Sequence, residues 1–374
     1  MTSTADTLRE VISRSAKGRL RLGVNAMRPT VTFGLWGSGT DVNIEMIQYA
    51  ESLGYDSVWT AEGFGTDAFT PLAYIAACTS RIRLGTSVLQ LVARTPTTTA
   101  QTAATLDLLS GGRVVLGIGA SAAPLVESWH AQPYRKPVAR TREFLDVFNQ
   151  VLRRQGNVEH HGEFYDIPYR GDDGTGTGVP VKLMFRPKRP HIPIYLAAMS
   201  PNNLRLAFEK CDGLMPPIYS PERESAIVGP WFDQADELVA LRAAQGLSTE
   251  SIDLATFVPV VEGDDVQACR DKMKPFLSFW LGGLGDRTQN FYNRLACDFG
   301  YEGPATDIAR LFHQGKRKEA AALVPDALID EIALCGPRDR IAERLEVWRD
   351  SLVSDMILVG ATKEIITLMA DLAL

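Results

Sequence analysis

"RVVLGIGASA", Arg113 to Ala122, is the stretch on which the reading of the fold turns. An apolar run, Val114-Val115-Leu116, feeds Gly117-Ile118-Gly119, and three residues on sits Ala122. That spacing is formally the G-x-G-x-x-G/A pattern that cradles a dinucleotide pyrophosphate. Such a fingerprint, however, belongs to the first strand of its domain and opens directly into a helix. Here Pro124, Pro133 and Pro137 follow, so no helix can start tightly at Gly119 and run on through them. The glycines read better as a strand end at the C-terminal face of a barrel, where missing side chains let a flat ring approach the backbone. A glycine-lined turn without any ligand is the plain alternative.

Working outward, the stretch is the fourth strand of an alternating series. Residues 20–26 (LRLGVNA), 57–62 (SVWTAE) and 81–89 (RIRLGTSVL) read as the first three strands. Helices are expected at about 42–53, closed by Gly54, at 70–78, and at 96–109, opened by Pro96 and closed by Gly111-Gly112. A helix over 138–153 follows. The alternation resumes with strands in HIPIYLAAM, GLMPPIYS, SIDLATFVPVVE and DMILVGA, and helices at 201–210, 230–245, from 264, and at 337–350. Two excursions interrupt it, at about 157–190, rich in Gly and Pro, and at 278–325. Eight strand–helix repeats with apolar strands predict α/β architecture, a (β/α)8 TIM-like barrel spanning 1–374 as a single domain with two insertions.

Composition narrows the partners. Of 374 residues 45% are hydrophobic and 22% charged, enough for a large core, and the formal net charge of −6 argues against nucleic-acid or anionic-membrane partners. No apolar run reaches the ~18 residues a membrane span needs. The first residues hold no apolar core of a secretory signal, and five scattered cysteines form no C-x-x-C pair, so a reduced, cytoplasmic protein is expected. The histidines, including His160-His161 in "HHGEFY", which reads as an exposed strand pair, have no metal-ligand spacing, and no metal is expected.

The order of residues in "VWTAEGFGTDAFTPLAYIAACTSRIRLGTSVLQLVARTPTTTAQTAATLDLLSGGRVVLGIGAS" resembles the bacterial-luciferase-like superfamily. "SWHAQPYRKPVARTRE" and "PVKLMFRPKRPHIPIYLAA" are similar to its branch of coenzyme F420-dependent oxidoreductases. The resemblance covers nearly the whole chain from about Leu20. It implies hydride transfer between C5 of the deazaflavin and an activated C=C, C=N or C=O bond of a small organic substrate. A deazaflavin does not readily activate O2, so a reductase or dehydrogenase follows. An FMN-dependent monooxygenase of the same superfamily is the alternative, and a non-catalytic barrel is a third reading. Members commonly dimerise through barrel helices, so a homodimer is expected.

Carried onto this sequence, the resemblance implies a bulge with a non-prolyl cis peptide at Ser87-Val88, so that Thr86, Ser87 and Val88 back the cofactor ring. Gly119, Ala120 and Ser121 would line its face. Glu62 matches an acidic residue at the end of the second strand, but Gly63 stands where a histidine often follows, and Ala120 stands where some members carry a catalytic glutamate. His130 is then the nearest titratable group for proton transfer, with Glu127 and Asp67 behind it, and a plain loop histidine bonded to backbone is the alternative reading. Backbone N–H groups at Ala198, Met199 and Ser200, with Pro216 and Pro217 after the sixth strand, would meet the phosphodiester. Trp36, Phe64, Trp129 and Tyr219 are the expected lining of an apolar substrate pocket.

Overall fold

In the computed structural model, which describes residues 20–26, 41–198, 200–232, 235–284 and 290–374, eight parallel strands close on themselves. They are β1 (Arg21–Asn25), β2 (Ser57–Thr60), β3 (Arg83–Gln90), β4 (Val114–Gly119), β5 (Ile194–Leu196), β6 (Gly213–Leu214), β7 (Asp253–Glu262) and β8 (Asp355–Val359). Each lies parallel to the next, and β8 returns to β1 with Asp355 opposite Arg21. The barrel expected from the repeats is the architecture observed.

The helices form for local reasons that the sequence carries. In α1 (Ile44–Ser52) the side chain of Asn43 accepts from Met46 N–H, and Gly54 follows with φ of 94°. After α2 (Phe69–Cys78), α3 (Pro96–Leu109) opens with Pro96 in its first turn and Thr95 Oγ1 accepting from Thr98 N–H at 3.2 Å. One short helix was not expected: α4 (Ala123–Trp129) stands between β4 and α5 (Pro137–Arg153). Pro124 falls in its first turn, where an absent N–H costs nothing, and Pro133 lies beyond its end. After β5 comes α6 (Pro201–Lys210).

The barrel interior is packed. Trp59 on β2, Val115 on β4, Tyr195 on β5, Met215 just after β6, and Phe257 and Ile357 on β7 and β8 form one buried cluster. Room for this packing comes from glycines on neighbouring strands. A Cβ on Gly85 would lie 2.2 Å from Trp59 Cε3, and one on Gly117 only 2.1 Å from the Thr86 carbonyl oxygen. At the N-terminal ends of the strands, ion pairs close the barrel. Asp355, 1% exposed, meets both Arg21 and Arg83, with Arg83 Nη2 at 2.7 Å; Arg21 reaches Asp253 at 2.8 Å; and the Tyr195 hydroxyl donates to Asp253 at 2.5 Å. Burial, with Asp355 and Asp253 beside it, pushes the Tyr195 hydroxyl well above the usual tyrosine range.

The excursions differ from one another. The first holds an antiparallel pair, His160–His161 with Asp166–Ile167, as the sequence suggested, and its returning chain is pinned where Arg189 grips buried Asp107 at 2.5 Å. The second is not irregular. The helix Val266–Gly283 runs into it, and Phe291–Asp298, Glu302–His313 and Arg317–Ala322 follow. The helix expected over 230–245 is two segments, Glu224–Phe232 and Ala235–Gln245. A further helix, Asp326–Ile332, leads to a short edge strand, Leu334–Gly336, beside Val260–Glu262. Among the described residues no helix is long and apolar enough to cross a membrane.

Candidate active site

The C-terminal ends of β2, β3 and β4 bring the candidate residues together. Along β3 the pairing with β4 slips: Thr86 faces Leu116, but Leu89 faces Ile118, and the Ser87-Val88 peptide between them is cis. Thr86 and Ser87 are buried by this bulge, Thr86 donating its hydroxyl to the Gly117 carbonyl at 2.7 Å. Val88 turns back over β4, where a Cβ on Gly119 would meet its Cγ2 at 3.0 Å and Ala197 Cβ at 3.3 Å. Gly119 therefore gives up its space to protein side chains, which is a tighter reason for the glycine than the open ring face expected of it.

Beyond the bulge, Gln90 ends β3, buried and opposite Gly119. Its backbone N–H donates to Glu62 Oε2 at 3.1 Å, its side-chain Nε2 donates to the Glu62 carbonyl at 3.0 Å, and its Oε1 lies 2.9 Å from His130 Nε2. Glu62, 7% exposed at its side chain, accepts from Arg94 Nη1 at 2.6 Å. Arg94 is also 3.6 Å from Asp67, and its guanidinium lies 5.5 Å over the Phe69 ring. Asp67 accepts from the N–H groups of Phe69 and Thr70, both at 2.9 Å. Burial raises the Asp67 carboxyl's pKa, but those bonds and Arg94 outweigh it and hold the group below its ordinary value. Glu62 and His130, expected separately, thus share one network.

Beside that network Phe64 and Trp129 make an edge-to-face pair, ring centroids 5.7 Å apart, and are 56% and 61% exposed. Gly63, where the resemblance would put a histidine, has no heavy atom within 4 Å of a built Cβ. His130 reaches the rim from the β4 side instead, at the C-terminus of α4. Ala120 is half-buried and lines a shallow pocket with Leu91, Val126, Tyr134 and Arg140. Ser121 takes φ of 63°, and its carbonyl accepts from the Tyr134 hydroxyl at 3.3 Å. Glu127 accepts from Tyr134 N–H at 3.3 Å.

On the far side of the mouth, Ala198 is buried and Ser200 is the N-cap of α6 with no side-chain capping bond. Pro216 is buried with its carbonyl accepting from Thr256 Oγ1 at 2.8 Å, and Pro217 is half-buried. Trp36 and Met199 lie outside the described residues. Tyr219 is a correction. It is fully buried, 6.5 Å from the Trp348 ring, with its hydroxyl donating to Glu224 at 2.8 Å, so it presents no surface to a pocket. Gln90 and Arg94 were missed. Their signal was available in "VLQLVART": polar side chains at the C-terminal end of a barrel strand, the end at which such barrels build their sites.

Known proteins share this sequence pattern and fold. The luciferase-like monooxygenase family model matches residues 37–355. The chain is 39% identical, over 339 residues, to a Mycobacterium tuberculosis protein named as a coenzyme F420-dependent oxidoreductase, covering 90% of this chain and 96% of that one. It is 26% identical over 318 residues to the 5,10-methylenetetrahydromethanopterin reductase of Archaeoglobus fulgidus, covering 83% and 87% respectively. In fold it is similar to the coenzyme F420-dependent tetrahydromethanopterin reductase of Methanopyrus kandleri, with a TM-score of 0.72 at 20% identity over 95% of this chain and 99% of that one.

Proposed function

The chain belongs to the luciferase-like monooxygenase family, and from that premise we propose that it is a coenzyme F420-dependent oxidoreductase. In this reading a hydride passes between C5 of the deazaflavin and an activated C=C, C=N or C=O bond of a small, partly hydrophobic substrate. The observation that carries it is the 39% identity, across nine-tenths of the chain, to a relative named for that cofactor.

The residues at the mouth fit such a group. Ser200 leaves the first N–H groups of a ten-residue helix without a side-chain cap, a favourable setting for a phosphodiester. Val88 at the bulge, with Ala120 and Ser121 just after β4, would meet the ring, and Ala198 and Ser200 would meet the tail. When bound, the cofactor supplies a carbon centre that gives or takes a hydride, which side chains cannot do. The chain's own part is orientation and proton handling. Arg94 holds Glu62 in place, Gln90 joins Glu62 to His130, and the exposed Phe64–Trp129 pair offers an apolar face to a substrate beside them.

The same reading takes the chain as one barrel domain that pairs with a second copy. Tyr74 on α2 and Leu108 and Leu109 at the end of α3 leave apolar side chains exposed on the outside of the barrel, where such a contact would form. The test of the activity is isotopic. Reduced coenzyme F420 carrying deuterium at C5, incubated with the protein and a panel of enones, imines and ketones, should deliver deuterium to carbon of the product. Oxygen consumption that depends on reduced FMN, with no deuterium transfer, would replace this reading with a monooxygenase.

A further inference from the structure

The Gln90 amide has only one orientation compatible with its neighbours, and that orientation determines which nitrogen of His130 carries hydrogen. The atom of Gln90 lying 3.0 Å from the Glu62 backbone carbonyl faces a group that can only accept, so it is the NH2 nitrogen. The other end of the amide is then an oxygen, 2.9 Å from His130 Nε2, and an amide oxygen can only accept. A neutral imidazole in that position must donate from Nε2. Its second nitrogen, Nδ1, has no hydrogen-bond partner among the described residues.

We propose that Gln90 is a positioning residue that fixes His130 as the Nε2–H tautomer, so that the open Nδ1 is an acceptor for a substrate O–H or N–H. This rests on the proposed oxidoreductase reading for its use and on geometry alone for its wiring. The rest of the network supports the orientation. The Gln90 backbone N–H is bound to Glu62 Oε2 and Glu62 is bound to Arg94, so the strand end and the loop after β2 hold the amide from both sides. Glu62 and Arg94 are the charged groups of this network on the β2–β3 side of the ring. On the α4 side Glu127 is engaged by Tyr134 N–H. The consequence is chemical. Neutral His130 offers a lone pair at the rim, the arrangement that receives a proton from a bound alcohol or amine. A carbonyl oxygen would find a donor there only on the imidazolium.

The apoprotein suffices for the test, because the tautomer is read without cofactor. In protein labelled with 15N-histidine, the His130 signals are assigned by their disappearance in His130→Asn. Wild type should show the Nε2 of His130 protonated, with its hydrogen protected from water, and Nδ1 bare. Gln90→Leu should lose the protected Nε2–H signal, whereas Gln90→Glu, which keeps an acceptor oxygen, should retain it. A wild-type ring protonated on Nδ1, or a Gln90→Leu ring whose Nε2–H signal is unchanged, would overturn the proposal. Absence of F420 binding to the same samples would remove the activity reading and leave the tautomer result standing.

Discussion

At the N-terminal end of the barrel, Arg21 and Arg83 meet Asp355, and Asp253 and the Tyr195 hydroxyl complete the cluster. At the C-terminal end, Arg94 meets Glu62, and Gln90 carries the chain of bonds on to His130. Both networks join the ends of different strands, and both bury a carboxylate against an arginine. The lower one turns inward: Asp355 is 1% exposed and shared by two guanidinium groups, and Ser354 also donates to it at 2.9 Å. The upper one ends at a ring nitrogen without a partner among the described residues, beside two aromatic rings that are more than half exposed. Charges at strand beginnings close the fold, and polar groups at strand ends form the site proposed for a ligand. The same chemistry does different work at the two ends.

The largest effect should come from the lower network. Asp355→Ala leaves two arginines without their shared buried partner and should cost about 3–5 kcal/mol in denaturant unfolding. A cost near that of an exposed ion pair would show that the lower end does not hold the barrel shut. Next in size is Gly85→Ala. Its methyl would enter the Trp59 ring, and overpacking of this kind should cost about 1–3 kcal/mol. Glu62→Gln at the upper end should cost only about 1 kcal/mol of stability, since Arg94 keeps Asp67 within reach. Its turnover should fall by about 10²-fold or more if the network handles the proton.

A smaller effect is expected at Asp67, and it depends on pH. The carboxyl is held below its unfolded value, so its contribution is present above the ordinary aspartate range, around pH 4, and is lost as pH falls through the lower folded value. The stability gap between wild type and Asp67→Asn should therefore be constant at neutral pH and shrink in acid. Smallest for stability are Phe64→Ala and Trp129→Ala, each within about 0.5 kcal/mol because the rings are exposed. If those rings hold substrate, either change should raise KM for an apolar substrate about tenfold while leaving the unfolding curve where it was.

The sequence made the barrel readable where each boundary had a local cause. Pro96 opens α3 at the residue expected, and Gly111 and Gly112, with φ of 76° and 97°, end it. The second excursion was opaque because its helices owe their place to distant partners. A Cβ on Gly282 would lie 2.6 Å from Phe312 Cβ, so two helices distant in sequence pack through a glycine that looks like a breaker. Leu334–Gly336 is too short to show any period. At the site, Glu62 and His130 stood out as titratable groups. Gln90 was passed over: its place at the strand end was the signal, but only the bulge at Ser87-Val88 settles which way it faces. Tyr219 failed for the converse reason. An aromatic after a strand end reads alike whether it lines a pocket or, as here, lies tilted beside Trp348 with its hydroxyl satisfied. Gly119 was placed correctly at the strand end, but Val88, brought over it by the same bulge, takes the space the ring was expected to use.

That the upper end of the barrel is a deazaflavin site is tested most directly by titrating the apoprotein with coenzyme F420, followed by its fluorescence, in parallel with FMN. Saturable quenching or a spectral shift with coenzyme F420, at concentrations where FMN leaves no sign of binding, is the predicted result. Equal or tighter binding of FMN, or no response to coenzyme F420 at all, would contradict it.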